Sequence, residues 1–147
     1  MKVERVTVEQ LYALPGFEEM IAEYATHAIK KMPTPLYRKE AYLPLEEKGI
    51  LAVWCAMYGG YVVGFASCLL SMIPHYGCGI AIAESLFVRE SVRMAGFGIR
   101  LIEAVENHGR EAGMPAVFFS CPIGSEFKKV LEHRNYSAET TTYVKML

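Results

Sequence analysis

The stretch from Gly79 to Ala112 constrains this sequence more than any other. An apolar, strand-like run, Gly79 to Val88 (GIAIAESLFV), leads into the turn Arg93-Met94-Ala95-Gly96-Phe97-Gly98, and a helical pattern follows from Ile99 to Ala112. Strand, glycine-containing turn and helix N-terminus in this order are a standard way to build an anion site. Glycine lets the backbone approach closely, the free N–H groups of the first helical turn point outward, and the helix dipole favours negative charge there. Arg93 adds a cationic fork at the edge of the turn. The expected ligand is a phosphorylated cofactor.

The rest of the chain supplies a sheet for this unit to join. Lys2 to Val6 alternates as a short strand does, and Thr7 with Gln10 reads as a capping box opening a helix that stops near Pro15. A second helix is expected from about Phe17 to Lys30, ended by Pro33 and Pro35. Leu36 to Lys48 reads as a turn or a short helix bordering a substrate site. Ile50 to Tyr58 and Tyr61 to Ser71 are strands of a hairpin turned by Gly59-Gly60. Pro74 to Gly77 is a loop. After the strand, turn and helix Gly98–Ala112, Gly113-Met114-Pro115 ends the helix, Ala116 to Ser120 is a strand, Ser125 to His133 a helix, and Thr140 to Lys145 a final strand. An antiparallel meander feeding a β-turn-α-β unit gives a mixed α/β, or α+β, sheet. No repeat or linker divides the chain, so a single domain over residues 1–147 is expected.

Composition enters as a set of exclusions. The formal net charge is −1, which offers no general attraction to nucleic acid or acidic membranes. The apolar run from Ile50 to Ile73 is long enough to span a membrane, but Gly59-Gly60 divides it, and its β-branched and aromatic content suits paired strands. Cys55, Cys68, Cys78 and Cys121 form no CxxC pair. With Lys2, Glu4 and Arg5 breaking any leader pattern, free thiols in the cytoplasm are the expectation. His75 and Cys78 have a metal-like spacing with no second pair, so no metal site is expected.

Two nucleotide motifs fail on inspection. Gly96-Phe97-Gly98-Ile99-Arg100-Leu101 lacks the last glycine of a dinucleotide fingerprint, and no Gly-Lys-Ser/Thr follows for a Walker loop. Instead, Leu86-Phe87-Val88, a four-residue spacer and Arg93-Met94-Ala95-Gly96-Phe97-Gly98 resemble the acyl-CoA motif of the GNAT-superfamily N-acetyltransferases, where Arg-Gly-x-Gly-x-Gly opens a helix. The order of elements resembles that family over most of the chain. The resemblance implies a GNAT-like central, largely antiparallel twisted sheet, with splayed parallel strands at the cofactor site and helices on its flanks. It implies acetyl-CoA as cofactor. Backbone groups of Leu86 and Val88, on either side of Phe87, would pair with the pantetheine arm as a false strand. N–H groups from Arg93, Met94, Ala95, Gly96, Phe97 and Gly98 to the helix start at Ile99 would hold the pyrophosphate. Met94 stands where the family has its first glycine, and Glu90 where a proline is frequent. The implied activity is transfer of an acetyl group to a primary amine by direct attack, the amine belonging to a small molecule or a protein, with a homodimer left open. The alternative is a catalytically idle GNAT-fold module that binds acyl-CoA.

An amine must be neutral to attack, so a base is sought. Glu84 interrupts an apolar strand in alternation with Ile82 and Leu86, and is either that base or a carboxylate bonded to its surroundings. The leaving thiolate also takes a proton. The tyrosine that many relatives use for this falls on Leu131, leaving Ser120, Cys121, Ser125 and Tyr136 as substitutes. Tyr24, Tyr37, Tyr42 and Trp54 either line an acceptor pocket or fill the core. Glu40, Glu46 and Glu47 attract a cationic amine or are simply solvated. His27 and His108 are expected at the surface of their helices, and His75 in a solvated loop.

Overall fold

A computed structural model describes residues 2–27, 32–33 and 37–147. One five-stranded sheet carries the described part of the chain, with strands β1 (Lys2–Val6), β2 (Leu51–Tyr58), β3 (Tyr61–Ile73), β4 (Cys78–Val88) and β5 (Val117–Phe118) side by side in chain order. The first three pairings are antiparallel and β4–β5 is parallel. The helices are α1 (Val8–Ala13), α2 (Phe17–Thr26), α3 (Lys39–Glu47), α4 (Phe97–Glu111) and α5 (Glu126–His133).

Local chemistry explains most element ends. Thr7 accepts the Gln10 N–H at 3.1 Å while the Gln10 side chain accepts the Thr7 N–H at 2.8 Å, a complete capping box for α1. Gly59 and Gly60 both have positive φ and join Tyr58 to Tyr61 directly, as a two-residue hairpin turn requires. Helix α4 stops at Gly113, where the Met114 N–H reaches back to Gly109 and the Gly113 N–H to Arg110. Helix α5 stops the same way with Asn135 in the left-handed position, and there the Tyr136 N–H bonds the Leu131 carbonyl. Asn135 thus takes the left-handed conformation that glycine usually supplies after a helix.

Alternation along the strands divides the core in two. Ala52, Trp54, Ala56, Ala66, Cys68 and Ala81 face α4, where Phe97, Leu101 and Val105 cover them. Leu51, Val53, Cys55, Val62, Phe65 and Phe87 face the other way, under Val8, Leu11, Phe17 and Met20 of α1 and α2. Two glycines let layers close up: a Cβ on Gly64 would stand 2.8 Å from the Phe87 carbonyl oxygen, and one on Gly109 would stand 3.1 Å from the Ala81 Cβ.

Two expectations need revision and two others become specific. The turn after β4 is wound as a run of 3-10 helix, Glu90–Ala95, and only Gly96 at its end is left-handed, with φ +79°. Strand β5 covers Val117–Phe118 instead of Ala116 to Ser120. The expected strand Thr140 to Lys145 does not form: residues 137–147 are exposed and lie in no sheet, so their alternation finds no neighbouring ladder to satisfy its backbone groups. The segment before β2, read as a turn or a short helix, is a helix from Lys39 on, despite Pro44 within it; Leu36 and the last turn expected of the Phe17–Lys30 helix lie outside the described residues.

Candidate active site

The site forms where β4 leaves β5. Their ladder holds only at Ala81–Val117 and Ile82–Phe118. Immediately beyond, β4 has a β-bulge: Cys68 of β3 faces Ala83 and Ser67 faces Ser85, so Glu84 is the extra residue. A bulge bends its strand and sharpens the twist, and the β4–β5 ladder does not continue past it. Beyond the bulge, the Arg89 N–H donates to the Val63 carbonyl on β3 at 2.9 Å. Strand backbone groups alternate in direction, so those of Val88 and Leu86 point to the opposite, open edge.

The bulge also corrects the expected alternation. Leu86 and Val88 lie against the α4-side core, whereas Ser85 and Phe87 lie on the other side. Glu84 therefore does not share a face with Leu86. It sits with Ser85 on the side of α1, α2 and α3, exposed at the rim.

There Glu84 is held asymmetrically. Its Oε2 accepts Ser67 Oγ at 2.5 Å and Ser85 Oγ at 2.9 Å, while among the described residues Oε1 has only the Tyr42 hydroxyl at 3.4 Å. The two serines are themselves 2.6 Å apart and buried. Tyr37 donates to Ser85 Oγ, and Tyr12 donates to the Tyr37 carbonyl. The rings of Tyr37 and Tyr42 stack at 5.3 Å, and Tyr24 meets Tyr37 edge-on at 5.6 Å. Burial, followed by the Glu84 charge, raises the phenol pKa of Tyr24, Tyr37 and Tyr42; burial, then Glu40 and Glu84, pushes Tyr12 up to about 12. All four are neutral hydroxyls at physiological pH.

Of the expected aromatic wall, Tyr24, Tyr37 and Tyr42 are together and Trp54 is not. Trp54 belongs to the opposite core, edge-on to His108 at 5.3 Å. Tyr12, Ser67 and Ser85 complete the cluster and were not anticipated; a serine in each of two apolar strands was the available signal. His108 is half-buried rather than a surface group, and its Nε2 has no partner among the described residues. Burial, then the Arg5 charge, lowers its imidazole pKa against an opposing pull from Glu111.

At the anion turn, nothing lies within 4 Å of a Cβ built on Gly96. Phe97, Gly98 and Ile99 open α4, and their N–H groups precede the first intrahelical bond, from the Arg100 N–H to Gly96. This open cradle fits a phosphate group. Met94 is fully exposed with an ordinary φ, so the absent glycine costs no backbone strain. Arg93 turns back instead of outward: its Nε donates to the Val88 carbonyl at 3.1 Å, with the guanidinium 5.8 Å from the Phe87 ring centre. Glu90 points at His27, 3.3 Å away, and at Arg93, 3.5 Å away, so its charge is offset. Glu23 of α2 ties the turn down through Arg89 and the Glu90 N–H; burial would raise its pKa, but these contacts and Arg93 outweigh that and lower it.

The candidate leaving-group acids are scattered. Leu131 is buried. Tyr136 donates to Glu106 at 2.8 Å, about 15 Å along α4 from Gly96 at 1.5 Å per residue. Ser125 Oγ is buried without a partner among the described residues, while Ser120 and Cys121 follow shortly after β5 in the chain. Among the described residues no group of three or more His, Cys, Asp or Glu could hold a metal ion, and no helix is long and apolar enough to cross a membrane.

Residues 15–124 match the acetyltransferase (GNAT) family, and the chain belongs to that family. A comparison with curated protein sequences finds no match. Solved structures share the fold at low identity. A ribosomal-protein-alanine N-acetyltransferase from Brucella melitensis is 17% identical with a TM-score of 0.70, covering 100% of both chains. Glucosamine-6-phosphate N-acetyltransferase from Arabidopsis thaliana is 14% identical with a TM-score of 0.76, covering 99% of this chain and 97% of that one. An aminoglycoside N-acetyltransferase in complex with CoA is 19% identical with a TM-score of 0.70, covering 99% and 98%.

Proposed function

We propose that residues 1–147 act as a single acetyltransferase domain in the cytoplasm, moving an acetyl group from acetyl-CoA to a primary amine by direct attack. Acetyl-CoA, when bound, supplies an activated thioester and a pyrophosphate. The N–H groups of the Arg93–Ile99 region, above all those of Phe97, Gly98 and Ile99, hold the pyrophosphate. The backbone of Leu86 and Val88 holds the pantetheine arm along the open edge of β4, with Phe87 between them buried in the sheet. For Val88 to do so, Arg93 must release its carbonyl. A backbone N–H near Leu86 polarises the thioester carbonyl.

The observation that carries this reading is the position and bonding of Glu84. It is the bulged residue at the point where β4 parts from β5, and its Oε2 is fixed by two buried serine hydroxyls. Oε1 is left to accept the proton released when the amine nitrogen bonds to the carbonyl carbon. The carbon–sulfur bond then breaks, and the thiolate takes a proton from water or from Ser120 or Cys121. Relatives in fold include enzymes named for amines of proteins, amino sugars and aminoglycosides, which supports an amine acceptor here.

Glu84→Gln should lower turnover at neutral pH by about 10²-fold, within the usual worth of a general base, and recover partly at high pH where more amine is neutral. The assay is release of free thiol across pH with an amine panel. Wild-type rates at every pH would remove Glu84 as the base. Binding of acetyl-CoA with no transfer by the wild-type protein would favour the idle module.

A further inference from the structure

Tyr37 is held in a backbone conformation that a bulky side chain rarely takes, with φ +44°. Such a residue persists only where its surroundings over-determine it, and these cluster at functional sites. Four elements grip this one. Tyr12 of α1 donates to its carbonyl, and its ring stacks on Tyr42 of α3 at 5.3 Å. Tyr24 of α2 and Phe65 of β3 meet the ring edge-on at 5.6 and 5.2 Å. A phenylalanine would fill the same space. What tyrosine adds is one hydroxyl, aimed at Ser85.

The hydroxyl protons of the cluster all run one way. Tyr37 donates to Ser85 Oγ. An ionised carboxylate only accepts, so Glu84 is the end of the chain. Between the two, Ser85 divides its single proton between Ser67 Oγ at 2.6 Å and Glu84 Oε2 at 2.9 Å, and Ser67 gives its own to Oε2 at 2.5 Å. Hydrogen bonds in such a chain polarise and strengthen one another. We propose that Tyr37 is a positioning residue for proton transfer: through Ser85 and Ser67 it keeps Oε2 supplied with donors, so that Oε1 takes the amine proton. This role rests on Glu84 being the base. As the amine nitrogen bonds to the thioester carbon its proton passes to Oε1, and CoA leaves as the thiolate, while Tyr37, Ser85 and Ser67 keep their protons.

The test measures kcat and KM for Tyr37→Phe, Glu84→Gln and the double variant, with acetyl-CoA and whichever of glucosamine, spermidine and an alanine-terminated peptide the wild-type protein acetylates. Tyr37→Phe keeps the ring and should lower kcat by about tenfold, within the coupling range of one hydrogen-bond network, with KM for both substrates held within about twofold. In the Glu84→Gln background the same change should move kcat by less than about twofold, because the group it positions is gone. An equal loss in both backgrounds, or no loss in either, would overturn the positioning role and leave Glu84 as base. Wild-type rates for Glu84→Gln would remove the base itself, and the positioning role with it. If no amine is turned over, or Tyr37→Phe does not fold, a carboxyl-carbon NMR titration of Glu84 decides, since the neighbouring phenols stay neutral across its range. Loss of donors to the charged form should move its midpoint to higher pH in Tyr37→Phe, and further in Ser67→Ala. A midpoint that moves in neither variant would overturn the proposal.

Discussion

Gly96 is the residue on which the anion turn depends. Its φ of +79° lies where a side chain costs roughly 1–2 kcal/mol, and the space a Cβ would enter is open. Asparagine and aspartate tolerate this conformation best and differ by one charge, which separates strain from repulsion. Gly96→Asp should weaken acetyl-CoA binding by at least about tenfold, since like charges in contact near a surface repel by up to about 4 kcal/mol, while Gly96→Asn should retain most of the affinity. Calorimetry measures both, and equal affinities for the two would remove the charge argument. His108 is the second residue with a readable consequence. Its folded pKa is lowered from the ordinary histidine value of 6.5, so the unfolded chain binds the proton more tightly. Its contribution is therefore fully present above about pH 6.5 and lost as pH falls through the lower folded value. His108→Gln should flatten the dependence of the urea midpoint on pH between neutrality and about pH 5, and an unchanged slope would show that another group is responsible.

At the scale of elements, helix caps and hairpin turn were legible because each is written in a few adjacent residues. Thr7 with Gln10, Gly59-Gly60, and Gly113 after α4 all act where the sequence puts them. The strand-turn-helix unit was legible for the same reason, although the turn is wound as a 3-10 helix whose only left-handed residue is Gly96. The bulge at Glu84 was not legible, because it exists only in the pairing of β4 with β3. That one residue reverses the face on which Leu86 falls and stands just past the end of the β5 ladder. Gly64 supports the same pairing from the β3 side. Gly64→Ala would bring a methyl to 2.8 Å from the Phe87 carbonyl oxygen, and should cost about 1–3 kcal/mol in a urea titration. A loss below about half a kcal/mol would mean that β3 and β4 separate there at little expense.

Across the whole molecule, two apolar layers share one sheet, and the site uses both sides of it. The anion cradle belongs to α4, which covers one layer, while Glu84 and the tyrosine cluster belong to the other. Residues 137–147 contribute to neither layer and pair with no strand. Truncation after Ser137 should therefore leave both the urea midpoint and its slope unchanged, because the slope follows the surface exposed on unfolding. A lower midpoint with a smaller slope would place the tail in contact with the folded body.

The sequence by itself determined the family resemblance, the two halves of the sheet and the strand-turn-helix unit, because periodicity, caps and the Val88-to-Gly98 spacing are local and survive without knowledge of partners. Only the tertiary structure decided what surrounds Glu84. Tyr12, Tyr24, Tyr37, Tyr42, Ser67 and Ser85 come from six separate elements or connections and gather around one carboxylate. No spacing between them records that meeting; it follows from strand register, a single bulged residue and the helix α3 laid beside α1.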